Sequence, residues 1–358
     1  MPNVINQMHC NFITYLDRAC SLILKEALVG RKIFSILLIF ILLCPIKIAR
    51  AELYAVASIK PIHSLVSALM TGVAKPGLII QGLGSPHSYS LKPSQAALLG
   101  NADVVFWIGN ELEFFLKKPI ENIAKNAVSV ELIGVRGLTK LLLRRQKYFN
   151  IQFVGKHILE GRIVRKGKHK LDYGRNYQRT GSRHSKIDPH IWLDPVNAKI
   201  FVREIRQVLA EFDPDNAKVY RSNASATLQK LDQLLREVSE ILQPIQNKRF
   251  FVLHDAYQYF EARFGISAIG SITSAPELMP GAEGIAIIRE RIKKFGPTCI
   301  FVEPQSKPRL ISVIAEGTEA KIGVIDPLGR DLKYGPELYF SLVRNMALQI
   351  KDCLLRGP

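Results

Sequence analysis

Three histidines stand where an imidazole could do chemistry. They are His87 in GSPHSYSLKPSQ, His190 in DPHIWLDP and His254 in FVLHDAYQYF. A lone histidine beside an apolar run is ordinarily a packed or capping residue. Three of them, none local to another, imply one site assembled by tertiary folding. Imidazole is a common ligand for a borderline-soft cation, and three such ligands with an open fourth position suit tetrahedral zinc. Neutral imidazoles are the ligating form, so binding is expected to weaken as pH falls through the ordinary imidazole range of about 6–7.

The elements around these residues suit that role. VLHD ends the strand-like run FFVL, and GSPH follows the strand-like GLII and a glycine-rich turn. Asp188 precedes Pro189, which pushes it out of the α region and holds the segment extended. Side chains at the carboxyl ends of parallel strands point into the crevice where α/β proteins bind ligands.

Strands and helices alternate along the chain. ELYAVASI, GLIIQGL, DVVFWIG and AVSVELI read as strands of a first half. IHSLVSALM, KPSQAALLGNA (with Ser94 as its cap) and ELEFFLKKPIENIA are its helices. NAKIFVREIRQVLAEF is a helix that Asp213-Pro214 interrupts. A long helical pattern follows, with Leu228, Leu231, Leu234, Leu235, Val238, Ile241 and Leu242 on one face. About thirty helical residues span roughly 45 Å, enough to bridge two lobes. RFFVLH, ISAIGSI, TCIFVEP and KIGVID then repeat the strand–helix rhythm, ending in ELYFSLVRNMALQIKDCLL. The expected fold is α/β, with two (β/α) lobes of parallel sheet joined by a long rigid linker helix. The expected boundaries are 52–212, 213–247 and 248–358.

Residues 1–51 read as an export signal. Arg31 and Lys32 precede the apolar IFSILLIFILLC, and Ala49 and Ala51 have the spacing of a signal-peptidase site. Cleavage after Ala51 leaves Cys299 and Cys353 as the only cysteines, an even pair that reads as a disulfide. Two buried free thiols are the alternative.

The net charge of +18 is localised. Residues 136–186 hold 15 basic against two acidic side chains, and residues 1–51 contribute +4, which leaves the folded body near neutrality. Nucleic acid is therefore not expected as a partner. The basic insert reads as a solvated loop with a short hairpin around GKHILEGRIV, and it carries His157, His169 and His184.

Taken together, SPHSYSLKPSQ…NADVVFWIGNELE, DPHIWLDP, FVLHDAYQYFEARFG, FVEPQSKP and GVIDPLG resemble the metal-binding receptors of ABC importers, most closely their zinc branch. The resemblance covers the chain after residue 51 except the insert. It implies a metal held in the cleft between two lobes, and only small movement on binding. His87, His190 and His254 fall on the family's three histidine positions, and Asp326 falls where many members supply a carboxylate. His at position 254 matches zinc-type members, whereas manganese-type members tend to have Glu there.

Two departures stand out. Pro86 occupies a position where some zinc receptors have Glu, so the fourth ligand is open to Asp326, a water or His63. The loop before His190 is basic rather than rich in histidine and acid, which argues against a metal-gathering role. The resemblance also implies the Cys299–Cys353 disulfide.

The reading is a periplasmic, monomeric zinc receptor that docks on a permease and its ATPase in the inner membrane. The runner-up readings are a manganese receptor of the same family, a zinc hydrolase and an adhesin. Against hydrolysis, the chain has no HExxH pair and no GxxxxGK[ST] loop.

Overall fold

Among the described residues, eight short strands form two four-stranded sheets, each with its helices, and the long helix packs between them. The computed structural model describes residues 52–82, 84–144, 187–273, 281–296, 298–306 and 308–356. The expected export signal, the body of the basic insert, its expected hairpin and His157, His169 and His184 lie outside the described residues.

The first half contains β1 (Ala55–Ala57), α1 (Lys60–Leu69), β2 (Gly77–Leu78), α2 (Pro93–Gly100), β3 (Val104–Trp107), α3 (Lys117–Asn122) and β4 (Val128–Glu131). Helices α4 (Pro195–Phe212) and α5 (Ala217–Leu242) follow. The second half contains β5 (Arg249–His254), α6 (Gln258–Phe264), β6 (Ser267–Thr273), α7 (Ala282–Phe295), β7 (Cys299–Val302), α8 (Pro308–Ala315), β8 (Lys321–Val324) and α9 (Leu338–Leu355).

The first sheet has the order β2-β1-β3-β4 and the second β6-β5-β7-β8, and every strand pair is parallel. Each order reverses direction beside its first strand, so each lobe has a crevice at the carboxyl ends of its first and third strands. These are the ends of β1 and β3 in one lobe and of β5 and β7 in the other.

Helix α5 is 26 residues long, about 39 Å at 1.5 Å per residue. Its buried positions are Tyr220, Ala224, Thr227, Leu231, Leu234, Val238 and Leu242, a stripe at three- and four-residue steps. That stripe packs on α4, α1 and α9, and joins them in one apolar core. The expected linker range of 213–247 therefore contains this helix flanked by 3₁₀ turns at Pro214–Asn216 and Gln243–Ile245.

Local chemistry explains where elements differ from the sequence reading. Helix α2 begins at Pro93, so Ser94 is not its cap. Its N-cap is Lys92, whose amide donates to Gln95 Oε1 at 2.8 Å. The run ELEFF is a turn and a 3₁₀ segment, with helix only from Lys117. Glu113 is the reason. Its fully buried carboxylate turns inward and accepts from Ser58 Oγ (2.5 Å), Gly109 N (2.9 Å) and Ile108 N (3.3 Å). Burial pushes its carboxyl up to about 7. Strand β2 is only two residues long, although Ile79 N and Ile80 N still bond Ala57 O and Ser58 O.

Cys299, at the start of β7, is bonded to Cys353 of α9 across a sequence separation of 54 residues. Closing a loop of that length is worth at most about 4 kcal/mol in the chain-entropy model. The double variant Cys299→Ala/Cys353→Ala is expected to lose about 2–4 kcal/mol, read as a lower urea midpoint at unchanged m-value.

Candidate metal site

Each histidine arrives by a different route. His254 is the last residue of β5, in the middle of its sheet. His87 lies between β2 and α2, where its amide donates to Ser85 Oγ at 3.3 Å. His190 sits in the segment that runs into α4. That segment is held by Asp194, whose Oδ1 accepts from Val196 N (2.8 Å) as the cap of α4. The guanidinium of Arg263 also closes on both Asp194 oxygens at 2.7 Å.

The three rings converge. Their centroids are 5.2 Å (His87–His190), 5.3 Å (His87–His254) and 4.9 Å (His190–His254) apart. One ligand nitrogen from each lies within 4.8 Å of the other two, and no other group of three potential ligands meets that criterion among the described residues. His87 Nε2 and His190 Nε2 are 3.2 Å apart. Two nitrogens each about 2.05 Å from one tetrahedral zinc are about 3.3 Å apart, so the pair already has the required spacing.

Two of the rings are oriented by carboxylates. Asp188 Oδ1 lies 2.8 Å from His190 Nδ1, and Glu303 Oε1 lies 2.8 Å from His254 Nδ1. Both carboxylates are buried, so each can only be satisfied by accepting a proton-bearing nitrogen. That places the proton of each ring on Nδ1 and leaves Nε2 as a bare lone pair facing the site. His254 Nε2 is indeed a buried nitrogen without a hydrogen-bond partner. An orphaned buried acceptor costs about 1–3 kcal/mol and is what a metal ligand looks like before the metal arrives.

The electrostatics agree. Burial pushes the His87 imidazole down to about 3, helped by the neighbouring His190 and His254. Burial likewise lowers His190, and Asp188 opposes it only in part. Burial raises Glu303, but the hydrogen bond and charge of His254, with Gln305 and Arg330, outweigh it and hold the carboxyl at about 2. Asp188 is lowered in the same way: burial raises it, and the charge and hydrogen bonds of His190 prevail. Burial thus lowers both His87 and His190, so proton competition at these two rings sets in below the ordinary imidazole range.

The remaining candidates are engaged elsewhere. Asp326 is outside the converging group. Its Oδ1 accepts from Leu328 N at 3.0 Å and its Oδ2 from Arg330 N, so it ties the turn after β8. The next residues of that turn, Pro327, Leu328 and Arg330, line the cavity in front of the histidines together with Pro86, Trp192 and Glu303. His63 is also outside the group. It is on α1, with Nε2 3.1 Å from Pro76 O and Nδ1 3.3 Å from Ser67 Oγ. Both of its nitrogens are satisfied within its own lobe. Asp255, next to His254, binds Arg144 at 3.0 Å and not an imidazole. Asp188 was visible in the sequence only as the residue before Pro189. Its place two residues from His190 was the available signal that it could reach that ring.

Two parallel-sheet lobes set across one long helix, with a trio of imidazoles that could hold a metal ion where they face each other, define a metal-binding receptor of the two-lobed solute-binding class. The chain belongs to the ZnuA family: the family model described as zinc-uptake complex component A, periplasmic, matches residues 55–353. The high-affinity zinc uptake system protein ZnuA of Brucella abortus (strain 2308) is 47% identical over 303 residues, which cover 84% of this chain and 91% of that protein. The protein of the same name from Yersinia pestis is 32% identical over 310 residues, covering 87% and 93%. A crystal structure of ZnuA shares the fold at a TM-score of 0.66 and 24% identity, covering 84% of this chain and 99% of that one.

Two predictions follow from the carboxylate pairs and the buried rings. Asp188→Asn and Glu303→Gln should each weaken zinc binding about 10–100-fold while leaving all three imidazoles in place, measured by competition with a chromophoric chelator. The second concerns pH. Three ordinary imidazoles would lose up to about a thousandfold in zinc affinity between pH 7.5 and 5.5. With His87 and His190 lowered by burial, the loss should fall well short of that. Stability behaves differently. His87 titrates lower in the folded chain than in the unfolded one, so the unfolded chain binds the extra proton between about 6.5 and about 3. The metal-free protein should therefore melt at progressively lower temperature as pH falls below 6.5.

Proposed function

We propose that this chain is a high-affinity zinc receptor that delivers Zn²⁺ to an ABC importer. The observation that carries the reading is the buried, unpartnered Nε2 of His254 beside two imidazole nitrogens already spaced for a tetrahedral ion. His87, His190 and His254 are the ligands. The fourth is a water or Asp326, whose oxygens also accept the amides of its own turn. Imidazole nitrogens favour zinc over manganese, which is better matched by carboxylate oxygens. The relatives' names, zinc uptake system proteins, support the same cargo.

The chain acts as a receptor and not as an enzyme. A hydrolytic zinc needs a base beside the bound water. Here Asp188 and Glu303 are both committed to imidazoles. The family description, a periplasmic component of a zinc-uptake complex, supports a periplasmic location and a membrane permease with its ATPase as partners. The finer parts of the reading are that the export signal is cut after Ala51 and that the loaded receptor docks as a monomer.

Metal competition on the chain from Glu52, stripped of metal, tests the reading by calorimetry. One zinc should bind tightly, manganese should bind at least a hundredfold more weakly, and His254→Ala should abolish the preference. Comparable manganese binding would move the chain to a manganese receptor, and no tight site would sink the receptor reading.

A further inference from the structure

The residues that follow one ligand hold the segment that carries another. Helix α6 begins at Gln258, four residues beyond His254. The Gln258 amide nitrogen donates to Asp188 Oδ2 at 3.0 Å and to Leu142 O at 3.0 Å. The Tyr259 hydroxyl donates to Asp188 O at 3.0 Å and accepts from Leu141 N at 2.9 Å. Leu142 and Ile187 form an isolated antiparallel bridge, and Asp188 N donates to Leu141 O at 2.9 Å. Arg144 completes the arrangement by closing on Asp255 at 3.0 Å and Glu261 at 2.7 Å. The two ends of the long basic insert therefore meet each other on the first turn of α6.

The geometry at Asp188 gives this meeting a purpose. One oxygen, Oδ1, accepts from both His190 Nδ1 (2.8 Å) and His190 N (3.0 Å). A carboxylate held on one oxygen alone can still rotate about its Cβ–Cγ bond. The Gln258 amide on Oδ2 removes that freedom and fixes the carboxylate plane. Fixing the plane fixes the direction of the bond to Nδ1, and with it the direction in which His190 Nε2 points. Ligands held within about 10–20° of productive geometry bind substantially better than ligands free to wander.

We propose that Gln258 is a positioning residue of the metal site, aiming His190 through Asp188 and, through Leu142, making the stem of the insert a structural arm of that site. The inference rests on the three histidines being the zinc ligands. The stem comprises residues 141–144 and 187–190. Its connection to the site runs through neutral amide and hydroxyl groups, with the Arg144 pairs alongside.

Gln258 sits at the first position of a helix and is half-buried, so an apolar replacement of similar length is compatible with folding. Gln258→Met should lower zinc affinity about tenfold, chiefly through faster release, and also lower the melting temperature of the metal-free protein, because Asp188 Oδ2 and Leu142 O lose their shared donor. Cobalt(II) bound in place of zinc should show shifted visible bands, because the geometry at His190 changes. In an Asp188→Asn background the same substitution should cost much less affinity, since Gln258 aims His190 through that carboxylate. Gln258→Ala is the second variant, and it should reproduce the affinity loss if the methionine is poorly accommodated.

Zinc binding by both Gln258 variants at wild-type strength would overturn the proposal. So would losses for Gln258→Met and Asp188→Asn that simply multiply. If the wild-type chain itself binds no zinc, it is the metal reading that fails and not the placement of Gln258.

Discussion

A buried imidazole must have somewhere to put its proton. In water either nitrogen can carry it, and the ring tumbles between tautomers and rotamers at little cost. Inside this protein, Asp188 and Glu303 decide the matter for His190 and His254 by accepting at Nδ1. Each carboxylate is itself buried, and the imidazole is one of the donors that keep it satisfied there. The dependence runs both ways: the acid needs the imidazole, and the imidazole is aimed by the acid. Everything that positions these pairs follows from this constraint, from the sheet order to the insertion stem. A one-residue slip of β5 would turn His254 to the opposite face and leave Glu303 as an unpaired buried charge.

The two lobes share one strand order but use their crevices differently. In the second lobe, the ends of β5 and β7 present His254 and Glu303. In the first lobe, the equivalent place is filled by Glu113, held by Ser58 and the amides of Ile108 and Gly109. One switch point thus faces the cleft with a ligand, and the other is closed by an internal hydrogen-bond network. The apolar stripe of α5 then joins α1, α4 and α9 in a single core, so the two sheets are not free-standing domains.

Much of this was legible in the sequence. The strand–helix alternation and the leucine stripe from Leu228 to Leu242 reveal two α/β lobes and the helix between them, because apolar periodicity reports directly on burial. The histidines were legible because each lies beside a strand-like or apolar segment: His254 ends FFVL, His190 precedes IWL, and His87 follows GLII and its turn. The roles of Asp188, Gln258 and Arg144 were not. Asp188 offered only its place two residues from His190, while Gln258 and Arg144 contact residues 70, 116 and 117 positions away, and nothing local distinguishes those two from a helix-start residue and a loop cation. The capping of α2 by Lys92 and the unwinding at Glu113 were hidden for the same reason, since a side-chain bond to a buried partner overrode local propensity. Asp326 shows the converse. Its sequence context suggested a ligand, and its carboxylate is engaged with the amides of its own turn.

The segment carrying His190 is fastened to the second lobe at several points. Asp188 is held by Gln258 and Tyr259, Trp192 donates to Pro327 O at 2.8 Å, and Asp194 is clasped by Arg263. His254 belongs to that same lobe, whereas His87 comes from the first. Among the described residues, His87 has no carboxylate on its ring, and its imidazole contacts only the other two histidines by hydrogen bond or ring packing. Any small shear between the sheets therefore alters two of the three inter-ring distances and spares the third. For the proposed site this makes His190 and His254 a paired chelate within one lobe and His87 a single donor from the other. A cation held this way can shed a single bond without any part of the buried polar scaffold coming undone.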